Sequence, residues 1–228
     1  MKRTITGLAG LGIVALMTSA CLSRDTSKTI YLEPDGTVTW TVVENEVRDF
    51  DGKTAEDRAR EEAEFVAAFR GERHPVALAL GRLDPMSVRT NILRAERPYT
   101  VLTQARFLRL DWLMTRFFIK LGFEATSSTL DWQDGTVTWT LTAFEPADTD
   151  AAHSPGEDKA VDVLLESFDH CRFVLAAGHF TSAVGFELSN DARVATFQDP
   201  DRNSDQASED TSSNKRLHFS LTWTESDK

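Results

Sequence analysis

Apolar and polar residues alternate with period two over Thr37-Val38-Thr39-Trp40-Thr41-Val42, which puts Val38, Trp40 and Val42 on one side of a strand and three threonines on the other. A β-rich run precedes it and Pro34-Asp35-Gly36 lies between, so residues 29–44 predict a hairpin with one core face and one polar face. The seven residues Asp-Gly-Thr-Val-Thr-Trp-Thr recur at 134–140 and predict a second hairpin over 127–144. A third version without the turn, Leu221-Thr222-Trp223-Thr224, closes a strand over 216–224. Residues 86–94 alternate with Val88, Thr90 and Ile92 on one side, and 172–177, 180–188 and 193–198 also read as strands, the last two joined across Ser189-Asn190-Asp191.

Three stretches carry the helical period instead. Residues 53–71 hold Thr54 and Asp57 in capping-box spacing, with Gly71 at the end. Residues 103–121 place Phe107, Leu110, Leu113, Met114, Phe117 and Leu121 at helical spacing before Gly122, which predicts the main core helix, packed across the sheet. Ser154-Pro155-Gly156-Glu157 supplies an N-cap, a proline at the first helical position and a capping box for a helix to about residue 168. His74-Pro75 opens a short apolar segment to Leu80 whose type the pattern does not decide. These elements predict an α+β fold, a mainly antiparallel sheet of hairpins with about three packed helices.

The two full copies of the heptapeptide stand 99 residues apart, and Phe65, Val66 and Phe69 match Leu164, Leu165 and Phe168 at the same offset. Two explanations stay open. Either a hairpin-helix unit is duplicated as a pseudo-repeat over 29–125 and 126–225 of one domain, or any Asp-Gly hairpin draws on the same β-formers.

The first twenty residues stand apart from this pattern. Lys2 and Arg3 precede an apolar run from Ile5 to Met17, and small residues follow at Thr18, Ser19 and Ala20, which is the secretory pattern. The run falls short of the ~20 apolar residues that span a bilayer, so cleavage is expected. Directly after it stands Cys21. The segment Met17-Thr18-Ser19-Ala20-Cys21 resembles the lipobox of bacterial lipoproteins, although Thr18 stands where leucine is usual. The resemblance implies a cut between Ala20 and Cys21 and a thioether-linked diacylglycerol on the Cys21 sulfur, with acylation, as by palmitate, of the new amino group. Two or three acyl chains hold a protein stably at a membrane. Leu22 in second place resembles the pattern exported to an outer membrane where there are two. Residues 21–28 then read as a lipidated tether that reaches at most roughly 25 Å, and 29–225 as one domain.

Without residues 1–20 the chain holds 23 basic and 36 acidic residues, a net of −13, which argues against nucleic acid as a partner. Hydrophobic residues make up 41% of the chain, enough for a core that needs no disulfide. The basic residues are unevenly spread. From Arg82 to Lys120 there are eight, against three acids, leaving a net of −18 elsewhere, so Arg94, Arg97, Arg106 and Arg109 are candidates for a binding surface toward anionic headgroups or an acidic partner. Internal pairing with the surplus acids is the competing explanation.

Sites of chemistry are sparse. Asp199, Asp201, Asn203, Asp205 and Asp210 match the ligand spacing of a calcium loop, but Ser204 replaces the turn glycine and the flanks read as strands, so an acidic serine-rich loop is the stronger reading. Cys171 lies beside His170, and with His179 it frames the alternative of a surface-anchored hydrolase, whereas a small buried hydrophobe accounts for the cysteine alone. The acids Glu56, Asp57, Glu61, Glu62 and Glu64 read as a solvated helix face. The threonine faces at 37–41 and 136–140 suit a flat glycan-binding surface or, as the simpler reading, ordinary β-propensity on a solvated face. No P-loop, G-x-S-x-G, H-E-x-x-H or C-x-x-C occurs, and no cofactor is called for. The expectation is a non-catalytic envelope lipoprotein whose partners are the bilayer, through Cys21, and an envelope protein or glycan.

Overall fold

The computed structural model describes residues 23–48, 54–70, 74–96, 98–144, 168, 170–198 and 216–224. In chain order these form β1 (Ser23–Leu32), β2 (Val38–Arg48), α1 (Ala55–Arg70), α2 (Pro75–Gly81), β3 (Ser87–Arg94), β4 (Tyr99–Phe107), α3 (Leu110–Lys120), β5 (Glu124–Gln133), β6 (Thr136–Phe144), β7 (Arg172–Leu175), β8 (His179–Val184), β9 (Phe186–Leu188), β10 (Val194–Phe197) and β11 (Arg216–Thr224). One sheet runs β3-β4-β2-β1-β7-β10-β9 and the other β5-β6-β11-β8. Every pairing is antiparallel except that of β1 with β7. The fold is α+β, as the patterning predicts.

Both hairpins form where the heptapeptide occurs. Leu32 pairs with Val38 in the first and Gln133 with Thr136 in the second. The inward residues of both, with Phe117, Phe168, Phe173 and Phe219, join one buried cluster that takes in both sheets. Its aromatic centre places Trp40 5.6 Å from Phe117 and 6.2 Å from Phe168, while Trp139 stacks on Phe173 at 6.0 Å. Such edge and offset contacts add about 0.5–1.5 kcal/mol each beyond area burial.

Four expectations are corrected. Residues 103–121 are not one helix. Val101, Thr103, Ala105 and Phe107 are buried in alternation, and Tyr99–Phe107 is β4, hydrogen-bonded on one side to β2 and on the other to β3. Two flanking strands outweigh the helical spacing, which holds only from Leu110. Residues 180–188 break at Gly185, which has φ +79° and the Phe219 ring against its Cα, so β8 joins one sheet and β9 the other. The tether ends sooner than 28. β1 begins at Ser23 because β2 runs on past Val42 and offers a ladder to Ser27, Thr26 and Asp25. The first threonine face is not solvated. Thr37 and Thr41 are buried among the longer side chains of β4, where Gln104 Nε2 and Arg106 Nη2 donate to their hydroxyls. The threonines of the second copy are half-buried.

The capping box of α1 forms. The Asp57 N–H donates to Thr54 Oγ1 at 3.1 Å and the Thr54 hydroxyl donates to Asp57 Oδ2 at 2.7 Å, which, with Arg60, holds the Asp57 carboxyl below its ordinary range. Glu56 and Glu64 are exposed. The undecided segment after His74 is α2, which buries Val76, Ala79 and Leu80 and packs against β3 and β4. The helix expected over 154–168 lies outside the described residues except Phe168, which is helical and buried.

Candidate functional site

Glu44 is the residue that breaks the pattern of its strand. It continues the inward phase of Val38, Trp40 and Val42 and is as buried as they are, with 1% of its surface exposed. A carboxylate there needs a partner. His74, just before α2, supplies one, with Nε2 2.9 Å from Glu44 Oε2 and both side chains buried. The pair ties the entry of α2 to the second strand of the first hairpin.

Beside it opens a cleft of about 590 Å³, lined by His74, Ala77, Leu78 and Gly81 on one wall and by Val88, Arg89, Thr90 and Asn91 on the other. The helical wall has the spacing i, i+3, i+4, i+7, which is one face of a helix. The opposite wall is four consecutive residues of β3. Successive side chains point to opposite faces, so what the cleft sees is the edge of the strand itself. β3 ends its sheet, and among the described residues no strand pairs with its outer side. Chemically the cleft offers the His74 imidazole and the backbone donors and acceptors of the strand edge, with Arg89 and Asn91 on one face of that strand and Val88 and Thr90 on the other, across from Leu78. The hydroxyl on its wall, Thr90 Oγ1, already accepts from Thr103 Oγ1 at 3.3 Å.

The basic candidates divide. Arg106 and Arg109 lie at the end of β4 beside the first turn, whereas Arg94 pairs with Thr100 at its opposite end, roughly 20 Å away along the strands. Arg97 is outside the described residues. At the turn end the cations are matched. Arg109 is bidentate to Asp111 at 2.8 and 2.9 Å and sits 5.7 Å from the Trp132 ring, Arg116 meets Asp84 at 2.8 Å, and Arg106 approaches Asp35 at 3.8 Å. Internal pairing therefore engages these three, two with acids of the same stretch, Asp111 and Asp84, and one, Arg106, with an acid from outside it, Asp35. Arg89 and Arg94 make no ion pair among the described residues.

The other candidates separate as well. Cys171 is fully buried, and burial pushes its thiol far above the ordinary range despite nearby Lys28 and Arg172. A buried neutral thiol is no nucleophile. His170 is exposed, and His179 opens β8 in the other sheet, with Nδ1 3.4 Å from Thr224 Oγ1. Ala20, Cys21 and the five calcium-loop residues Asp199, Asp201, Asn203, Asp205 and Asp210 lie outside the described residues. Among the described residues no group of three or more histidines, cysteines and acids is placed to hold a metal, and no helix is long and apolar enough to cross a membrane.

Sequence reasoning passed over Glu44 and His74. The signal was present, since an acid in the apolar phase of an alternating strand predicts a buried partner. Which residue would meet it depends on α2 folding back onto the sheet, and that is not a local property.

No family model matches the chain, and no curated protein matches it. The NMR structure of the folded domain of Mycobacterium tuberculosis LppM is similar over 90% of this chain and 91% of that one, at 13% identity and a TM-score of 0.36. A likeness at that score assigns no function.

Proposed function

We propose that this chain is a membrane-anchored lipoprotein of the bacterial cell envelope, held by acyl chains on Cys21, and that it acts as a non-catalytic binding module through the cleft between α2 and β3. The cleft carries the binding half of this reading. It joins a strand edge that no described strand pairs with to an apolar helix face, a combination that offers contact surface and backbone hydrogen bonds. The single imidazole at its floor is engaged by Glu44, which suits a fixed wall.

The lipobox-like segment carries the anchoring half, and the early start of β1 fits it. With lipid on Cys21, the strand begins two residues from the bilayer, and the ten residues of β1 carry the first turn roughly 30 Å outward. Where two membranes exist, Leu22 directs the protein to the outer one. Mass spectrometry of the N-terminus from membranes tests the anchor. A diacylglyceryl cysteine at position 21, lost together with membrane association in Cys21→Ser, is the expected result. A chain that begins elsewhere, or an unmodified Cys21, refutes it.

A further inference from the structure

We infer that the cleft between α2 and β3 is a strand-addition groove for an extended segment of a partner protein in which acidic residues alternate with apolar ones. The inference rests on the cleft being the binding surface. It adds what binds there and how.

An edge strand presents every second residue's N–H and C=O outward, and folded proteins cover, shorten or blunt such edges because another chain can pair with them. β3 is eight residues long and has no strand on its outer side among the described residues, whereas β9, at the other end of the same sheet, is three residues long. In front of that edge stands the face of α2 formed by Ala77, Leu78 and Gly81, and among the described residues these two elements line the cleft between them. A helix beside an open edge leaves room for one more strand, with side chains of one phase toward the helix and those of the other phase away from it.

The side chains define the guest. Leu78 is 51% exposed across the cleft, and Met86 and Leu93 are 59% and 60% exposed near the two ends of β3. Exposed apolar surface strung along one edge marks a contact site. Arg89 and Arg94, on the same strand, are exposed and make no ion pair among the described residues, in contrast to the matched arginines at the turn end. A chain that is otherwise strongly acidic thus leaves, among the described residues, two cations without an ion pair on the longer of the two edges of this sheet. Acidic residues on the incoming strand complement them, and that charge rule also selects against most of this chain's own surface.

The test uses the full chain purified from membranes in detergent and a labelled peptide of alternating glutamate and valine, about eight residues long. Fluorescence anisotropy should show saturable binding, and hydrogen exchange should show new protection confined to residues 87–94. Arg89→Glu with Arg94→Glu should weaken binding about tenfold, since each exposed pair contributes modestly. Leu78→Asp, at an exposed position that leaves the fold intact, should weaken it comparably. A peptide N-methylated at alternate residues, or one with lysine for glutamate, should fail to bind. Absence of binding by the parent peptide, equal binding by the N-methylated one, protection outside β3, or preference for anionic vesicles or an oligonucleotide over the peptide overturns the inference. The Cys21→Ser chain should bind the peptide equally well. Failure of the anchor would therefore leave strand addition standing, and failure of the peptide in a lipidated chain would end strand addition alone.

Discussion

The two copies of Asp-Gly-Thr-Val-Thr-Trp-Thr fold into the same strand and then part company. In both, valine and tryptophan point inward and are almost fully buried, Val38 and Trp40 in one and Val137 and Trp139 in the other. Seven residues past each glycine's threonine the inward phase differs, for Glu44 stands where the second copy has Ala143. The second strand packs that small residue in the apolar core, while the first accepts a carboxylate because His74 reaches it. Identical local code yields an identical strand, and the divergence falls where a tertiary partner is present. It also falls beside the cleft, so the copy that departs from the apolar rule is the one that builds the candidate site.

The largest effects that would break this comparison come from removing the partner of one inward residue and placing an acid at the other. His74→Ala leaves Glu44 buried without its 2.9 Å partner and should cost about 3–5 kcal/mol, as removal of one member of a buried pair does. Ala143→Glu buries an acid where the second copy has no such histidine among the described residues and should cost as much. The double variant Glu44→Leu, His74→Leu should recover most of the loss. Urea denaturation of the full chain reads all three. If Ala143→Glu is tolerated within about 1 kcal/mol, the core around the second copy is not closed and the contrast fails.

Next in size are the two turns. Asp134 and Gly135 both have positive φ, 52° and 73°, which gives the two-residue type I′ turn between Gln133 and Thr136. In the first copy only Gly36 does, at 79°, and Gly36 N–H donates to Glu33 O at 2.9 Å in a longer loop. The same Asp-Gly thus closes two different turns, because the flanking residues set the loop length. Alanine at either glycine adopts a left-handed conformation at a cost of about 1–2 kcal/mol. A Cβ on Gly135 meets open space, whereas one on Gly36 comes 3.3 Å from the Trp132 ring. Gly36→Ala should therefore lower the unfolding midpoint more than Gly135→Ala, and Trp132→Ala should remove the difference.

The tryptophans give a smaller contrast of opposite sign. Trp139 Nε1 donates to Ser128 Oγ at 2.8 Å, whereas the buried Trp40 Nε1 has no acceptor among the described residues. Both Trp→Phe changes remove ring volume from the core. Only Trp139→Phe also loses a hydrogen bond, and Trp40→Phe removes a donor that burial penalises, so Trp139→Phe should be the costlier by about 1 kcal/mol. Equal losses would mean that Trp40 is not the poorer fit.

These contrasts show which parts of the molecule local pattern can reveal. Period-two alternation places both hairpins, β3 and β11, and the capping box at Thr54 and Asp57 places the start of α1, because each depends on neighbours in sequence. Residues 99–107 escape it, since Thr103 and Gln104 become a strand only once β2 and β3 flank them. The cleft escapes it entirely. Arg89 and Arg94 appear in the sequence as two of eight basic residues in one stretch, and only the fold shows that Arg106 reaches Asp35 at one end while those two, along the outer edge of β3, make no ion pair among the described residues.

The smallest effect concerns Asp35, and it is a local one. Its carboxylate accepts from the Thr37 hydroxyl at 2.6 Å and from the Thr37 N–H at 2.9 Å. These bonds, with weaker help from Arg106, hold its carboxyl below the ordinary value of 3.8. A carboxyl depressed in the folded state stabilises it above the unfolded value, and that contribution disappears as pH falls through the folded value. The first turn should therefore loosen only in acid, below the usual carboxylate range. Asp35 is exposed, so the effect on global stability is slight and the right readout is exchange of the Thr37 amide. Exchange in the wild type, corrected for its intrinsic rate, should accelerate on acidification, whereas in Asp35→Asn, which does not ionise, it should not. In the second copy Asp134 occupies the turn itself with positive φ, so Thr136 should show no comparable dependence on pH. An acid-sensitive Thr136 amide, or an insensitive Thr37, would mean that the shared Asp-Gly acts alike in both turns, which their different backbone paths argue against.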